Sequence, residues 1–494
     1  MEIDKAMPSL KNQAVNGTKW TTARTILTAI TGPILLIVKT RNLSPEEFGV
    51  MAIINIFIGI ISVLENFGFN TAIIRKDEVT KDERSSLFIL QIMISIFLAS
   101  LLVISSPLIA SLFNMPPLND LLPVLSLSIL FNSPVILFTA FLEKEFQFKA
   151  VSIIHMGREL VLLISTTILF QVLSQPLYAV VIGQILAVGF MAIGITIATF
   201  SFDLLHLRLH FKLDDIKPYF KFGIVVGFQK VVIQLTHNVD EMIIGFFLPE
   251  SVLGYYHFAK NLLNKFRQLL TVSFSKVLLP VLSKVKYEKE RLIRGYNQIS
   301  SYIATVTLPI FTGIALTTNS FIPIFFDEEW LASSNFFIIL AISYIPYIIS
   351  DSIGTDLLYS INKPKLALAI DFVTNLAYIL LLLLVSWLQI GLYPIVILYG
   401  LYMLVKSIVT QHYVYQQFNR SFLEYLKLFT GLIASTLIMV AVVLLAQNAV
   451  LNDMSVYVDF IVSVILGVIS YVASVYLFEK KTFHDLVGMV ANRV

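Results

Sequence analysis

A chain of 494 residues that is 57% hydrophobic, 14% charged and of mean hydropathy +0.82 lacks the roughly 25% of charged residues that wet a soluble surface, so its solvent must be lipid. A net charge of +3, with no basic cluster interleaved with aromatics on a soluble face, excludes nucleic acid as a partner. The absence of cysteine excludes disulfides, thiol catalysis and cysteine-based metal sites.

The polar segment Met1 to Lys19 has no apolar core ending at a small-residue cleavage site, so the first span is read as the membrane signal itself. Fourteen runs of about span length then follow: 20–40, 47–68, 86–113, 119–141, 151–173, 178–200, 220–247, 254–282, 296–325, 335–358, 365–388, 392–415, 426–447 and 456–478. Runs this long satisfy their backbone in lipid as helices, and are too long for barrel strands. The expected fold is an all-α polytopic membrane protein with about 14 transmembrane helices.

Short connections alternate in charge. One set carries Arg75, Lys76, Lys81 and Arg84, then Lys144 and Lys149, Arg208 to Lys221, Lys284 to Arg294, Lys363 and Lys365, and Arg420 and Lys427, and the ends add Lys5, Lys11, Lys19, Lys480, Lys481 and Arg493. The opposite set is nearly bare apart from Arg41 and Lys39. By the positive-inside rule both termini are cytoplasmic. The longest connection, 202–219, alternates Leu204, Leu205, Leu207, Leu209 and Phe211 with His206, Arg208, His210 and Lys212, and reads as an amphipathic strap on the membrane surface.

Two short corners repeat about 205 residues apart: Leu43–Gly49 (LSPEEFG) and Leu248–Gly254 (LPESVLG). Aligning them overlays spans 1–6 on spans 7–12 in the same orientation, a parallel repeat. The expected organisation is a six-helix lobe over 1–200, a cytoplasmic linker over 201–219, a second six-helix lobe over 220–415, and two further spans with a tail over 416–494.

Charge inside a span costs at least ~2.5 kcal/mol on insertion scales and needs a reason. Span 1 aligns Thr21, Arg24, Thr28 and Thr31; span 2 aligns Asn55, Ser62 and Asn66 with Glu65 nearby; span 7 aligns Lys230, Gln234, His237 and Glu241 with Asn238 and Asp240 beside them. Span 8 aligns Tyr256, Lys260, Asn264, Arg267 and Thr271; span 5 carries His155, Arg158 and Glu159; spans 10 and 11 carry Asp351, Asp356, Asp371 and Asn375. If spans 1, 2, 7 and 8 meet, Arg24, Lys230, Lys260 and Arg267 line one cationic vestibule suited to phosphate. Asn264 and Arg158 are further substrate candidates, whereas Asp240, Glu241, Glu65 and Asn238 are candidates for coupling or for polar lining. The plainer alternatives are snorkelling for Lys19, Lys39 and Lys276, pairing of the adjacent Arg158 and Glu159 with neighbouring helices, a salt bridge for Asp240 or Glu241, and hydrogen-bonded helix positions for His155, His237 and His412.

No Walker A pattern, His-Glu-x-x-His or Gly-x-Ser-x-Gly elbow occurs, so no enzyme chemistry, metal or cofactor is expected. The bare outer loops also argue against a membrane glycan polymerase. The segments Gly49–Asn55 (GVMAIIN), Phe67–Lys76 (FGFNTAIIRK), Ser86–Phe88 (SLF), Leu142–Lys149 (LEKEFQFK), Asn238–Leu248 (NVDEMIIGFFL) and Gly254–Tyr256 (GYY) resemble Wzx-type polysaccharide flippases. That resemblance spans about 15–420, and the group it belongs to also holds multidrug/toxin extruders and lipid II flippases. It implies that a polyprenyl-diphosphate-linked oligosaccharide is flipped across the bacterial inner membrane by alternating access, with proton or sodium coupling left open. The sugar and diphosphate would pass through the cavity while the prenyl tail stays in membrane lipid. Arg24, Lys260 and Arg267 would meet the diphosphate, and a polysaccharide polymerase and chain-length regulator are candidate partners. A cation-coupled multidrug exporter is the alternative; it needs an acidic cavity, and span 1 has no equivalent of the acidic residue typical of some such exporters.

Overall fold

The described residues of the fourteen apolar runs fall mostly on helix in the computed structural model, which describes residues 10–66, 68–205, 207–284, 288–388, 391–451 and 454–491. The first six runs are carried by α1 (Leu10–Thr40), α2 (Pro45–Asn66) with the short α3 (Phe69–Arg75), α4 (Lys81–Phe113), α5 (Leu118–Lys144), α6 (Phe148–Val172) and α7 (Pro176–Ser201). Then come α8 (Leu213–Phe247), α9 (Glu250–Lys284), α10 (Lys289–Phe325) and α11 (Ser334–Pro346). A π-helical turn at Tyr347–Asp351 joins α11 to α12 (Ser352–Ser360). The remainder is α13 (Pro364–Trp387), α14 (Leu392–Gln416), α15 (Phe422–Lys427), α16 (Thr430–Ala446), α17 (Val456–Phe478) and α18 (Lys480–Ala491). No strand occurs among the described residues.

Local chemistry sets the ends of these helices. Thr80 accepts from the Glu83 amide while the Glu83 carboxylate accepts from the Thr80 amide, a reciprocal cap that starts α4. Asn114 (φ 53) stops α4, and Asn362 (φ 60) and Asn419 (φ 55) follow α12 and α14; asparagine tolerates this left-handed conformation better than most residues. Pro176 and Pro364 open α7 and α13, where the missing N–H would be unpaired anyway.

Twelve helical stretches among the described residues are long and apolar enough to cross a membrane. The helices in the seventh and eighth places, α8 and α9, are 35 residues each but fall outside that set. Lys230, Gln234, His237 and Asn238 in one, and Lys260, Asn264 and Arg267 in the other, dilute their apolar content. The spans elsewhere turn large apolar side chains outward, including Ile104, Val172, Phe200 and Leu477, each more than 70% exposed. An outer surface of this kind suits lipid and not water.

The chain divides into two units, Met1–Gly254 and Tyr255–Val494. In the first, α5 packs on α4 and α7, α6 on α7 and α1, and α8 on α2, α3 and α4. The helix expected to open the second lobe thus packs within the first unit. A buried cluster of Phe69, Ile73, Leu87, Phe138, Phe141, Ile195 and Tyr219 fills one part of it. In the second unit α10 packs on α11, α16 and α17, while α14 packs on α11 and α13.

The connection between α7 and α8 is irregular over 202–205 and 207–212, after which 213–219 forms the first turns of α8. Leu204, Leu205 and Leu207 pack inward on the cluster around Phe141, while Leu209 is fully exposed. The head of α4 holds the strap: Arg84 donates to the Leu204 carbonyl at 3.0 Å, Ser85 Oγ accepts from the Arg208 amide at 2.9 Å, and Ser86 Oγ donates to Asp215 at 2.9 Å. The Ser86 bond first, and then His210 on Asp215 at 2.9 Å, hold Asp215 below the usual carboxylate range. His206 and Lys286 lie outside the described residues, as do Lys5 and Arg493 at the ends.

The two repeated corners meet. A Cβ built on Gly49 would lie 2.1 Å from the Glu250 carbonyl oxygen, and one built on Gly254 would lie 1.8 Å from the Pro45 carbonyl oxygen. Under the 205-residue offset Gly49 matches Gly254 and Pro45 matches Glu250, so each corner presents its glycine to the same backbone position of the other. Only a residue without Cβ permits this approach, in the manner of small residues at helix crossings in membranes.

Candidate functional site

A polar cavity of about 350 Å³ lies within the first unit, lined from α1, α2, α4, α5, α6 and α7. Arg24 enters from α1. Glu65 comes from α2, with Ser62 one turn earlier. On α6 the spacing i, i+3, i+4 sets His155, Arg158 and Glu159 on one face. Asn132 of α5 and Gln184 of α7 complete the polar lining.

Glu65 is 1% exposed. Its carboxylate accepts from Ser95 Oγ at 3.0 Å and from Asn132 Nδ2 at 2.9 Å, and its main-chain carbonyl accepts from Gln91 Nε2 at 3.2 Å. All three donors are neutral. Arg158 Nη1 pairs with Glu159 Oε1 at 2.5 Å, so these neighbours bind each other and not adjacent helices. Their long side chains reach across the 100° that separates consecutive helix positions. Arg24 is half-buried and makes no hydrogen bond or ion pair among the described residues. Glu143, Glu159 and Arg158 act on it electrostatically from a distance. The cavity therefore offers one uncommitted guanidinium, and guanidinium groups bind phosphate oxygens through paired charge-assisted hydrogen bonds.

Three of the residues singled out from sequence, Arg24, Glu65 and Arg158, share this cavity. Lys230, Asn238, Asp240 and Glu241 sit on α8 in the same unit, outside its lining. Asn238 donates to the Gln234 carbonyl of its own helix at 2.8 Å, and Asp240 and Glu241 are 1% and 4% exposed. The cavity has α1 and α2 among its walls together with α4, α5, α6 and α7, and the amides Asn132 of α5 and Gln184 of α7 were passed over in the sequence. The available signal was a lone amide within an apolar run.

Lys260, Asn264 and Arg267 belong to the second unit. Lys260 is 4% exposed and lies over the rings of Tyr399 at 5.5 Å and Tyr256 at 5.8 Å. Arg267 Nε donates to Asn264 Oδ1 at 3.0 Å, and its guanidinium lies over Tyr347 at 5.7 Å. Aromatic faces thus stabilise both cations where water is scarce. The Thr271 and Lys276 side chains lie outside the described residues. A third cation, Lys406 of α14 with its side chain 11% exposed, went unnoticed in the sequence; its Nζ sits 2.9 Å from Asp371 and 3.4 Å from Asp351, which also accepts from Thr410 at 3.0 Å.

The second unit also holds a nearly apolar cavity of about 850 Å³ among α10, α16 and α17, lined by Pro309, Gly313, Met439, Val443, Gly467 and Tyr471.

Comparison with known proteins bears on this geometry. The model of a family described as polysaccharide biosynthesis protein matches residues 38–335. The lipopolysaccharide biosynthesis protein WzxC of Escherichia coli (strain K12) is 24% identical over 324 residues, and the match spans only 65% of the length of each chain. The teichuronic acid biosynthesis protein TuaB of Bacillus subtilis (strain 168) is 26% identical over 352 residues, 71% of this chain and 72% of that one. Among solved structures, the lipid II flippase MurJ in an inward closed conformation superimposes with a TM-score of 0.75 at 18% identity, covering 96% of this chain and 100% of that one. At that identity the likeness establishes a shared fold.

Proposed function

The chain belongs to the polysaccharide biosynthesis protein family, and from that premise we propose that it is a flippase moving a polyprenyl-diphosphate-linked oligosaccharide from the cytoplasmic to the periplasmic leaflet. The observation that carries this reading is the uncommitted Arg24 guanidinium in a polar cavity within a membrane-spanning bundle. An unpaired cation at that depth is costly, and an anionic ligand is the simplest group to offset the cost. Lys230, Lys260 and Arg267 are proposed as further contacts for the diphosphate or the sugar. The alternation of Lys and Arg along the loops supports a bacterial inner-membrane setting with both termini in the cytoplasm.

An exporter of organic cations is the competing reading, and it needs a cavity of net negative charge. Here Arg24 and Arg158 match Glu65 and Glu159 in number, so even with both carboxyls ionised no net negative charge awaits a cation. The test is export of surface glycan in a host whose own flippase is deleted and replaced by this chain. Arg24→Ala and Arg267→Ala should each abolish export while the protein stays in the membrane at normal abundance. Full export by both variants overturns the reading.

A further inference from the structure

We propose that Glu65 couples protonation to headgroup binding: it takes a proton from solvent as the diphosphate enters the cavity, and each event favours the other. This inference rests on the function proposed above and concerns the same cavity.

Arg24 and Arg158 contribute two positive charges, and Glu159 and Glu65 two negative ones when both are ionised. The cavity is then neutral, and with Glu65 protonated it carries one net positive charge. A diphosphate is multiply anionic, so it binds better in the second state. By linkage the proton must bind better when the diphosphate is present.

The surroundings of Glu65 suit it to this role better than those of any other carboxyl nearby. Glu159 already holds Arg158. Glu65 has no cation within ion-pairing distance among the described residues, only Ser95 and Asn132. Its bonds also survive a change of charge. Asn132 can keep donating to one oxygen, while the Ser95 hydroxyl, which donates to a carboxylate, can turn and accept from a carboxylic acid at the same 3.0 Å. Neither state leaves a buried polar atom without a partner.

The other charged groups around the cavity do not duplicate the role. Arg24 on α1 and Arg158 on α6 contribute guanidinium groups, whose charge is fixed, and His155 on α6 lines the same cavity. Glu143 on α5 acts on Arg24. The helices α4 and α7 present only neutral Gln91, Ser95 and Gln184 to this region, and α8, packed on α2, carries Lys230, Asp240 and Glu241 outside the cavity lining.

The test measures binding of undecaprenyl diphosphate to the purified full-length protein in detergent at pH 6 and pH 8, for wild type and Glu65→Gln. The ligand's own titration is common to both proteins, so the informative quantity is their affinity ratio. Glu65→Gln should bind on the order of tenfold more tightly than wild type at pH 8 and about equally at pH 6; this is the effect of one unit charge across a site roughly 10 Å wide at an effective dielectric near 20. Calorimetry of wild type in two buffers of different ionisation enthalpy should show extra proton uptake on binding at pH 8, which keeps the inference testable if the variant folds poorly. Binding with the same affinity ratio at both pH values, or with no extra proton uptake by wild type, overturns the coupling and leaves the flippase reading intact. Failure of wild type to bind at either pH overturns the function proposed above and this inference with it.

Discussion

Replacing Gly254 with alanine tests whether the repeated corners are a packed seam or a coincidence of sequence. The new Cβ would lie 1.8 Å from the Pro45 carbonyl oxygen, 2.8 Å from its carbonyl carbon and 3.1 Å from the Gly49 nitrogen, whereas ordinary contact begins near 3.4 Å. The obstacle is main chain, so no side chain can swing aside, and the corners must part by roughly 1.5 Å to restore van der Waals contact. Overpacking of this kind costs about 1–3 kcal/mol, partly offset by the ~1 kcal/mol that alanine gains over glycine in a helix. Gly49→Ala meets the Glu250 carbonyl at 2.1 Å and should behave alike. Both substitutions force the same separation, so the double variant should lose less than the sum of the single losses. Gly189→Ala on α7, with nothing within 4 Å of its Cβ, serves as the neutral control. Thermal unfolding in detergent, followed by intrinsic fluorescence, should put both corner variants a few degrees below wild type and the control at or above it. Additive losses, or no loss at either corner, would refute the reciprocal seam.

The same seam should respond to pH. Burial, and after it the Glu46 carboxylate, hold Glu250 above its usual range, so ionising it disfavours the folded contact. Its contribution is most favourable below the ordinary carboxylate value and is lost as pH rises through that value toward the raised one; Glu250→Gln should flatten this part of a melting-temperature profile, and an unchanged slope would count against it. At the second unit's ion cluster, Lys406→Met leaves Asp351 and Asp371 without their ammonium group and should cost about 3 kcal/mol. Adding Asp351→Asn and Asp371→Asn should recover much of that loss in the same melting assay.

Helical class was legible in the sequence because long apolar runs in a bilayer must satisfy their backbone internally; the same runs gave fourteen spans, whereas twelve helical stretches among the described residues are long and apolar enough to cross, because polar residues on α8 and α9 dilute theirs. Spacing along a single helix finds Asn264 and Arg267, which bond to each other, but not the different rings that Lys260 and Arg267 lie over. What could not be read was which helices face each other. Glu65 and Asn132 are 67 residues apart and bond directly, and Lys406 finds carboxylates 35 and 55 residues upstream. One-helix periodicity contains no term for such pairs. The strap shows the same limit, since its alternation marks Leu204 and Leu209 alike as apolar, and only tertiary packing partly buries one and exposes the other. The corners were recognised as a repeat, but their meeting through two glycines followed from backbone positions.

The central claim is that the Arg24 guanidinium receives the diphosphate of a lipid-linked glycan during its passage across the membrane. The most direct measurement reconstitutes wild type, Arg24→Lys and Arg24→Ala into liposomes holding a fluorescent polyprenyl-diphosphate oligosaccharide, and reads transbilayer movement by quenching of the outer leaflet. Wild type should flip the lipid, Arg24→Lys should retain part of the rate because charge survives without the bidentate geometry, and Arg24→Ala should fall to the protein-free background. Equal rates for wild type and Arg24→Ala, with equal incorporation, would contradict the account.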